Sequence, residues 1–263
     1  MNHLRITMKD PSRFRDPFGL NWPKYIAMQA RDKEHYEKQK AALPPEALEF
    51  KLADPAYLEE VTHCQFLDNY FAELSATKYL ATVVKNSPFE ELKKCALFQI
   101  MDEQRHMEMD AEVLQRAGVP EKEWLHRWRE ANTTYRFFQH VVSLEDPMEI
   151  LLKANFVGET GAVTASFDVL AQWARRKGDP LSAINHEARL RDESRHSKTG
   201  WVLAKALIED DEENLAVIQE WQDEALKLWY VVSRDGARKQ WWDNFQNSYF
   251  RVAATLGLRQ PAA

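Results

Sequence analysis

Cysteine is almost missing from this chain: Cys64 and Cys95 are the only two in 263 residues. A disulfide scaffold and a four-cysteine iron–sulfur site are therefore excluded. Both sit in helical, partly apolar stretches that suit small buried hydrophobes. Glycine is scarce as well, at 8 residues, and none of them forms a flavin- or nicotinamide-binding glycine motif. No apolar run approaches the roughly 18 residues that a membrane span needs. A basic excess is also lacking: 35 Lys and Arg against 41 Asp and Glu leave a net charge of −6. That removes the electrostatic reason to expect nucleic acid as a partner. The opening MNHLRITMKDPSRFRDPFG has basic residues but no apolar stretch behind them, so no signal peptide is read and a cytoplasmic location is expected.

Strand formers such as Val and Thr are sparse, whereas Ala, Leu, Glu, Lys, Gln and Arg dominate the long segments, so an all-α fold is expected. Pro23 starts a helix that LPPE at 43–46 ends. Further helices are expected over about 55–85, 88–116, 121–141, 147–177, 180–210, 212–231 and 236–256, punctuated by NSP, AGVP, EDP, KGDP and SRDG. The connections are short, as between packed antiparallel helices. One domain is expected over 1–263, with a four-helix core at 55–210 and flanking helices at 211–263. Late aromatics (Trp221, Trp229, Trp241, Trp242, Phe245, Phe250) recur at loosely helical spacing and read as core or subunit packing.

One pattern occurs twice: MDEQRH at 101–106 and RDESRH at 191–196 share Asp-Glu-x-Arg-His. Glu-x-x-His puts a carboxylate and an imidazole on one helix face. The spacing also occurs at Glu60/His63 and Glu123/His126, but the first sits at the wrong helical phase and the second in the first turns of its helix. Glu103/His106 and Glu193/His196 lie mid-helix. A four-helix di-metal site needs two such motifs and one further Glu from each remaining helix. Glu73 lies in the stripe Phe66, Tyr70, Thr77, Leu80; Glu159 lies in the stripe Leu152, Phe156, Val163, Phe167. An unpaired carboxylate on such a face is costly, and coordination offsets the cost. The order is thus a duplicated unit, Glu73 with Glu103/His106 and Glu159 with Glu193/His196.

Nitrogen–oxygen ligation of this kind suits a redox pair of iron ions, with manganese or a mixed pair left open. Asp102, Arg105, Asp192 and Arg195 repeat with the ligands, and are expected to orient the imidazoles or to pair across the helix interface. Tyr70, Ala76, Thr77, Phe98, Gln99, Ala162, Val163 and Phe167 fall near the ligands by helical phase and are candidates to line a substrate pocket. No flavin or haem is expected, so electrons would come from a separate reductase or ferredoxin.

With these motifs in place, the chain resembles the ferritin-like di-iron carboxylate superfamily. It is most similar to the hydroxylase subunits of bacterial multicomponent monooxygenases, the soluble methane, toluene and phenol hydroxylase group. The resemblance implies a ferritin-like four-helix bundle with flanking helices. Glu73, Glu103 and His106 would serve one iron, and Glu159, Glu193 and His196 the other. It further implies reductive activation of O₂ to oxidise a small organic substrate, apolar or aromatic, and a small regulatory protein as partner. RDPFGLNWPKYIAMQARDKEHYEKQ resembles the lead-in of the non-catalytic subunits, yet those lack a full ligand set and this chain has one, so it reads as catalytic. Two departures stand out. The chain is shorter than the usual catalytic subunit, which suggests a reduced branch assembling as a homodimer. Where the family places Thr four residues after the third Glu, this chain has Val163, with Thr164 next. Ferroxidase or iron/manganese storage is an alternative. So is a radical-generating subunit like that of ribonucleotide reductase, although Asp110 stands where that family has its tyrosine.

Overall fold

A computed structural model describes residues 4–131, 134–161, 167–230 and 237–260, excluding the side chains at 63, 64, 130, 131, 230 and 237–242. Every regular element among the described residues is helical. The starts follow from capping chemistry. Asn21 accepts from the Lys24 N–H ahead of helix α1, Trp22–Ala41, with Pro23 in its first turn. Asp54 caps a second helix, α2, which continues through Pro55–Glu60, Val61–Phe66 and Leu67–Asn86. Helix α3 is Glu90–Arg116. The shorter α4 (Glu121–Ala131) and α5 (Tyr135–Val142) lead to α6, Pro147–Leu151 with Leu152–Glu159, whose start Asp146 caps. Helix α7 is Phe167–Arg176, α8 is Pro180–Asp210, α9 is Asn214–Tyr230 and α10 is Ala237–Ala254.

Three features differ from regular expectation. The segment expected over 121–141 is described as two helices, Glu121–Ala131 and Tyr135–Val142. Val61–Phe66 and Leu152–Glu159 are π-helical turns within longer helices, which no hydrophobic periodicity announces. Pro45–Leu48 adds a single short turn.

Helices α2, α3, α6 with α7, and α8 pack as a four-helix bundle. Two glycines permit its closeness. Gly178 turns the chain from α7 into α8 at φ +73°, and a Cβ there would lie 2.5 Å from the Leu52 carbonyl oxygen. At Gly200 a Cβ would lie 2.6 Å from the backbone nitrogen of Phe156, so α8 meets the π-helical turn backbone to backbone. Apolar residues form two clusters. One contains Leu80, Val83, Leu92, Phe156 and Leu203, extended by Trp221, Trp229, Phe245 and Phe250 from α9 and α10. The other contains Phe66, Phe71, Val113, Trp128 and Leu181. Each such side chain contributes about 1.5–3 kcal/mol when fully buried. Along α2, α3 and α8, a buried polar stretch separates the two clusters. The bundle therefore holds a charged layer between two apolar caps. The side chains of Trp241 and Trp242 lie outside the described residues.

Candidate metal centre

The polar layer is built from the two Asp-Glu-x-Arg-His segments. Each lies in mid-helix on α3 or α8, which face one another across the bundle. Glu73 enters from α2 and Glu159 from the last position of the π-helical turn of α6. An extra residue in that turn resets the helical phase, and such turns recur at functional sites.

Six side chains converge. His106 Nδ1 lies 3.2 Å from Glu103 Oε2, 3.3 Å from Glu193 Oε1 and 3.7 Å from Glu73 Oε1. His196 Nδ1 lies 3.3 Å from Glu159 Oε2, 3.3 Å from Glu193 Oε2 and 3.4 Å from Glu103 Oε1. Glu103 and Glu193 therefore each direct one oxygen to each imidazole. The result is two interlocked quartets, Glu73/Glu103/His106/Glu193 and Glu103/Glu159/Glu193/His196, with the ligand atoms of each within 4.8 Å of one another.

The opposite ring nitrogens are held crosswise. His106 Nε2, on α3, is 3.3 Å from Asp192 Oδ2 on α8; His196 Nε2, on α8, is 3.0 Å from Asp102 Oδ2 on α3. In the neutral ring, with Nε2–H donating to a carboxylate, the Nδ1 lone pair would be free for a cation in the cluster. The arginines complete the exchange: Arg105 donates to Asp192, and Arg195 donates to both Asp102 and Asp192. From α1, Tyr25 Oη donates to Asp102 over 2.8 Å and Gln29 Nε2 donates to the same oxygen over 2.5 Å. Nothing in the spacing of α1 linked Tyr25 or Gln29 to the two motifs.

Burial and charge compete here. Burial acts against protonation of both imidazoles, but contacts with Asp192, Glu103 and their neighbours prevail and raise both well above the ordinary histidine range. Burial also lifts Glu103 well above the usual carboxylate range, and Glu159 to about 7, against the pull of His196. Glu193 and Asp192 are held below that range: burial opposes their ionisation, and hydrogen bonds from the imidazoles outweigh it. Tyr79, fully buried, keeps its phenol proton through burial and the field of Glu159 and Glu103.

The donor set fits a pair of divalent cations. His106 Nδ1, Glu103 Oε2 and Glu159 Oε2 are buried without a hydrogen-bond partner of proper geometry, although each faces the cluster. Four carboxylates and two imidazoles with no thiolate match iron or manganese. A cation at each Nδ1 satisfies these atoms and neutralises acids that burial disfavours.

Arg189 is absent from the sequence expectations, and Asp110 enters them only as the residue in place of a radical-storing tyrosine. Arg189 donates from Nη1 to Glu73 Oε1 over 3.1 Å and from Nη2 to Asp110 Oδ1 over 2.6 Å, all within the bundle. Asp110 is lifted to about 7 by burial, against the pull of Arg189. Both are ordinary charged residues at helical spacing, and only their burial, which the sequence does not display, marks them.

Of the pocket candidates, Gln99 bonds the cluster directly, donating to Glu103 and Glu159 over 2.9 and 2.8 Å. Phe167 packs on His186 and beneath the Arg189 guanidinium. Ala76 is buried in the apolar core and the Thr77 hydroxyl donates to the Leu74 carbonyl. Tyr70 packs on Trp124 and Phe71, and Phe98 stacks on Tyr25 at 4.5 Å, towards α1. Ala162 and Val163 lie outside the described residues. Glu60 and His126 are exposed, and Glu123 pairs with Arg127 at 2.6 Å. His63 has no described side chain.

The sequence profile of a family described as Methane/Phenol/Alkene Hydroxylase matches residues 1–211. Among solved structures, toluene 4-monooxygenase with toluene bound in its resting active site superposes with a TM-score of 0.78 at 19 % identity, covering 92 % of this chain and 81 % of that one. A xenon-pressurised phenol hydroxylase from Pseudomonas sp. OX1 gives a TM-score of 0.84 at 13 % identity, covering 98 % and 82 %. At those identities the structural likeness is one of fold: all-α, ferritin-like, with flanking helices.

Proposed function

Because the chain belongs to the methane/phenol/alkene hydroxylase family, we propose that Glu73, Glu103, His106, Glu159, Glu193 and His196 hold two iron ions at which O₂ oxidises a small apolar or aromatic substrate. The class is that of an O₂-dependent di-iron oxidoreductase, an oxygenase. The single observation that carries the assignment is the pair of interlocked quartets sharing Glu103 and Glu193.

When bound, the iron pair supplies the reductive activation of O₂. The protein's own part is orientation, dryness and proton control. Asp102 and Asp192 hold each imidazole in the tautomer that frees Nδ1, and Arg105 and Arg195 hold those aspartates. Gln99 fixes the oxygen of Glu159 that faces it and leaves Oε2 towards His196. Glu159, lifted to about 7 by burial in the metal-free fold, would give up its proton when a cation binds. The apolar caps exclude bulk water, which strengthens each of these charge contacts.

Electrons come from a separate reductase or ferredoxin. A cleft beside α1 and α8, lined by Phe18, Met28, Arg31, Asp32, His35, Arg191 and Arg195, with Arg191 paired to Asp32, offers an approach to the Arg195–Asp102–His196 chain. A second copy of this chain would cover the exposed Phe18, Trp22, Ile26, Leu97 and Met101. No described helix is long and apolar enough to cross a membrane.

The test is O₂ consumption by iron-loaded protein with a chemical or ferredoxin reductant, with and without small aromatic and alkane substrates. Uptake matched by hydroxylated product supports the assignment. Iron oxidation with no product from any substrate class, in a large iron-filled shell, would replace it with storage.

A further inference from the structure

The ligand set is duplicated, but its supports are not. Gln99 precedes Glu103 by four residues on α3, and Arg189 precedes Glu193 by four on α8. These matching positions reach across to the two outer carboxylates. Gln99 donates a neutral amide N–H to Glu159 over 2.8 Å, its orientation set by Asn155, whose amide donates to Gln99 Oε1 over 2.6 Å. Arg189 donates from a guanidinium to Glu73 over 3.1 Å. The guanidinium is wholly buried and keeps its charge at any working pH. Its counter-ion, Asp110, bonds the other arm, so the cationic arm facing Glu73 is only partly neutralised.

Arg189 engages Oε1 of Glu73, the oxygen that also faces His106 Nδ1. A cation bound there would sit beside a fixed positive charge, at short range and away from solvent, where such repulsion is poorly screened. The cation beside Glu159 and His196 shares its carboxylate with an uncharged amide. From this contrast, and resting on the metal-centre reading above, we propose that Arg189 is a positioning residue that makes the two metal positions unequal. The Glu159/His196 position fills first. The Glu73/His106 position fills second, with about tenfold or greater weakness.

The test is an anaerobic titration of metal-free protein with Mn(II), followed by calorimetry and by the electron paramagnetic resonance of free and bound Mn(II). Wild type is expected to show two steps separated by about tenfold or more. Glu73→Ala should keep the tight step and lose the weak one; Glu159→Ala should lose the tight one. Arg189→Gln combined with Asp110→Asn makes the supports of the two halves alike and should bring the steps together, with helix content by circular dichroism unchanged. Two equal steps in wild type, or the tight step lost with Glu73 instead of Glu159, would overturn the inference and leave the metal centre standing. An unchanged gap in the folded double variant would do the same. Failure of wild type to bind any Mn(II) or Fe(II) would overturn both.

Discussion

Two acid clusters in this molecule, one buried and one partly exposed around a buried lysine, solve the same problem differently. At the end of α5, His140 meets Glu149 of α6 and Glu224 of α9, and the geometry alone would suit a cation. There the chain supplies its own: Lys153 Nζ, wholly buried, lies 2.6 Å from both carboxylates and 3.0 Å from His140 Nε2. Burial and the nearby ammonium push His140 below its ordinary range. In the central layer, four carboxylates meet two imidazoles, and one side-chain cation, Arg189, contacts a single outer carboxylate. Arg105 and Arg195 are committed instead to Asp102 and Asp192. An acid cluster with a lysine inside it is a structural ion network. One whose unpaired donor atoms face each other suits ions from outside, as proposed for the central layer.

This contrast can be broken most forcefully at the shared ligands. Glu103→Ala and Glu193→Ala, each common to both quartets, should take bound iron from about two per chain towards zero, measured by metal analysis of folded protein. Glu73→Ala or Glu159→Ala should cost about one ion each. Next comes the self-supplied cluster. Lys153→Met leaves Glu149 and His140 facing each other without a cation and should cost about 3 kcal/mol in urea unfolding, since Glu224 is half exposed and can turn to water. Central metal content should stay the same. If instead Lys153→Met emptied the central site, the two clusters would not be independent.

Asp102→Asn should weaken iron binding by roughly 10–100-fold by loosening His196, without large loss of stability, as read by competitive chelator titration. The effect of pH separates loaded from metal-free protein. Glu159 sits at about 7 in the fold against an ordinary 4.5, so the metal-free fold holds an extra proton across that interval. The contribution of Glu159 to stability is therefore fully present below about 4.5 and is lost as pH rises through about 7. The raised imidazoles act in the same direction. Loaded protein, with cations in place of those protons, should show a much flatter dependence in parallel urea melts. The smallest effect belongs to the unrelated Glu-x-x-His spacings: His63→Ala and His126→Ala should leave iron content unchanged.

The convergence of the six side chains was legible because three kinds of pattern agreed. Prolines at 23, 55, 147 and 180 marked helix starts, and the structure adds the caps Asn21, Asp54, Asp146 and Asp179 just before them. The doubled Asp-Glu-x-Arg-His pointed to the two facing helices, and the isolated acids Glu73 and Glu159 stood out against apolar stripes. Other features do not reside in such local patterns. The π-helical turn that delivers Glu159 is a backbone rearrangement with no compositional mark. Tyr25 and Gln29 reach Asp102 from a helix more than 70 residues earlier in the chain, a contact that only the tertiary fold makes. Arg189 and Asp110 look like surface charges in the sequence, because a buried ion pair and an exposed one have the same spacing. Phe98 read as a pocket residue by phase, but its ring stacks on Tyr25 once α1 is in place.

The most direct measurement is iron analysis of protein grown with iron-57, joined to Mössbauer spectra of the oxidised and reduced forms. About two irons per chain, magnetically coupled when oxidised and both ferrous when reduced, is the predicted result. Folded protein that holds no iron, and takes up none on anaerobic addition of Fe(II), would contradict the claim that the facing quartets are built around an ion pair.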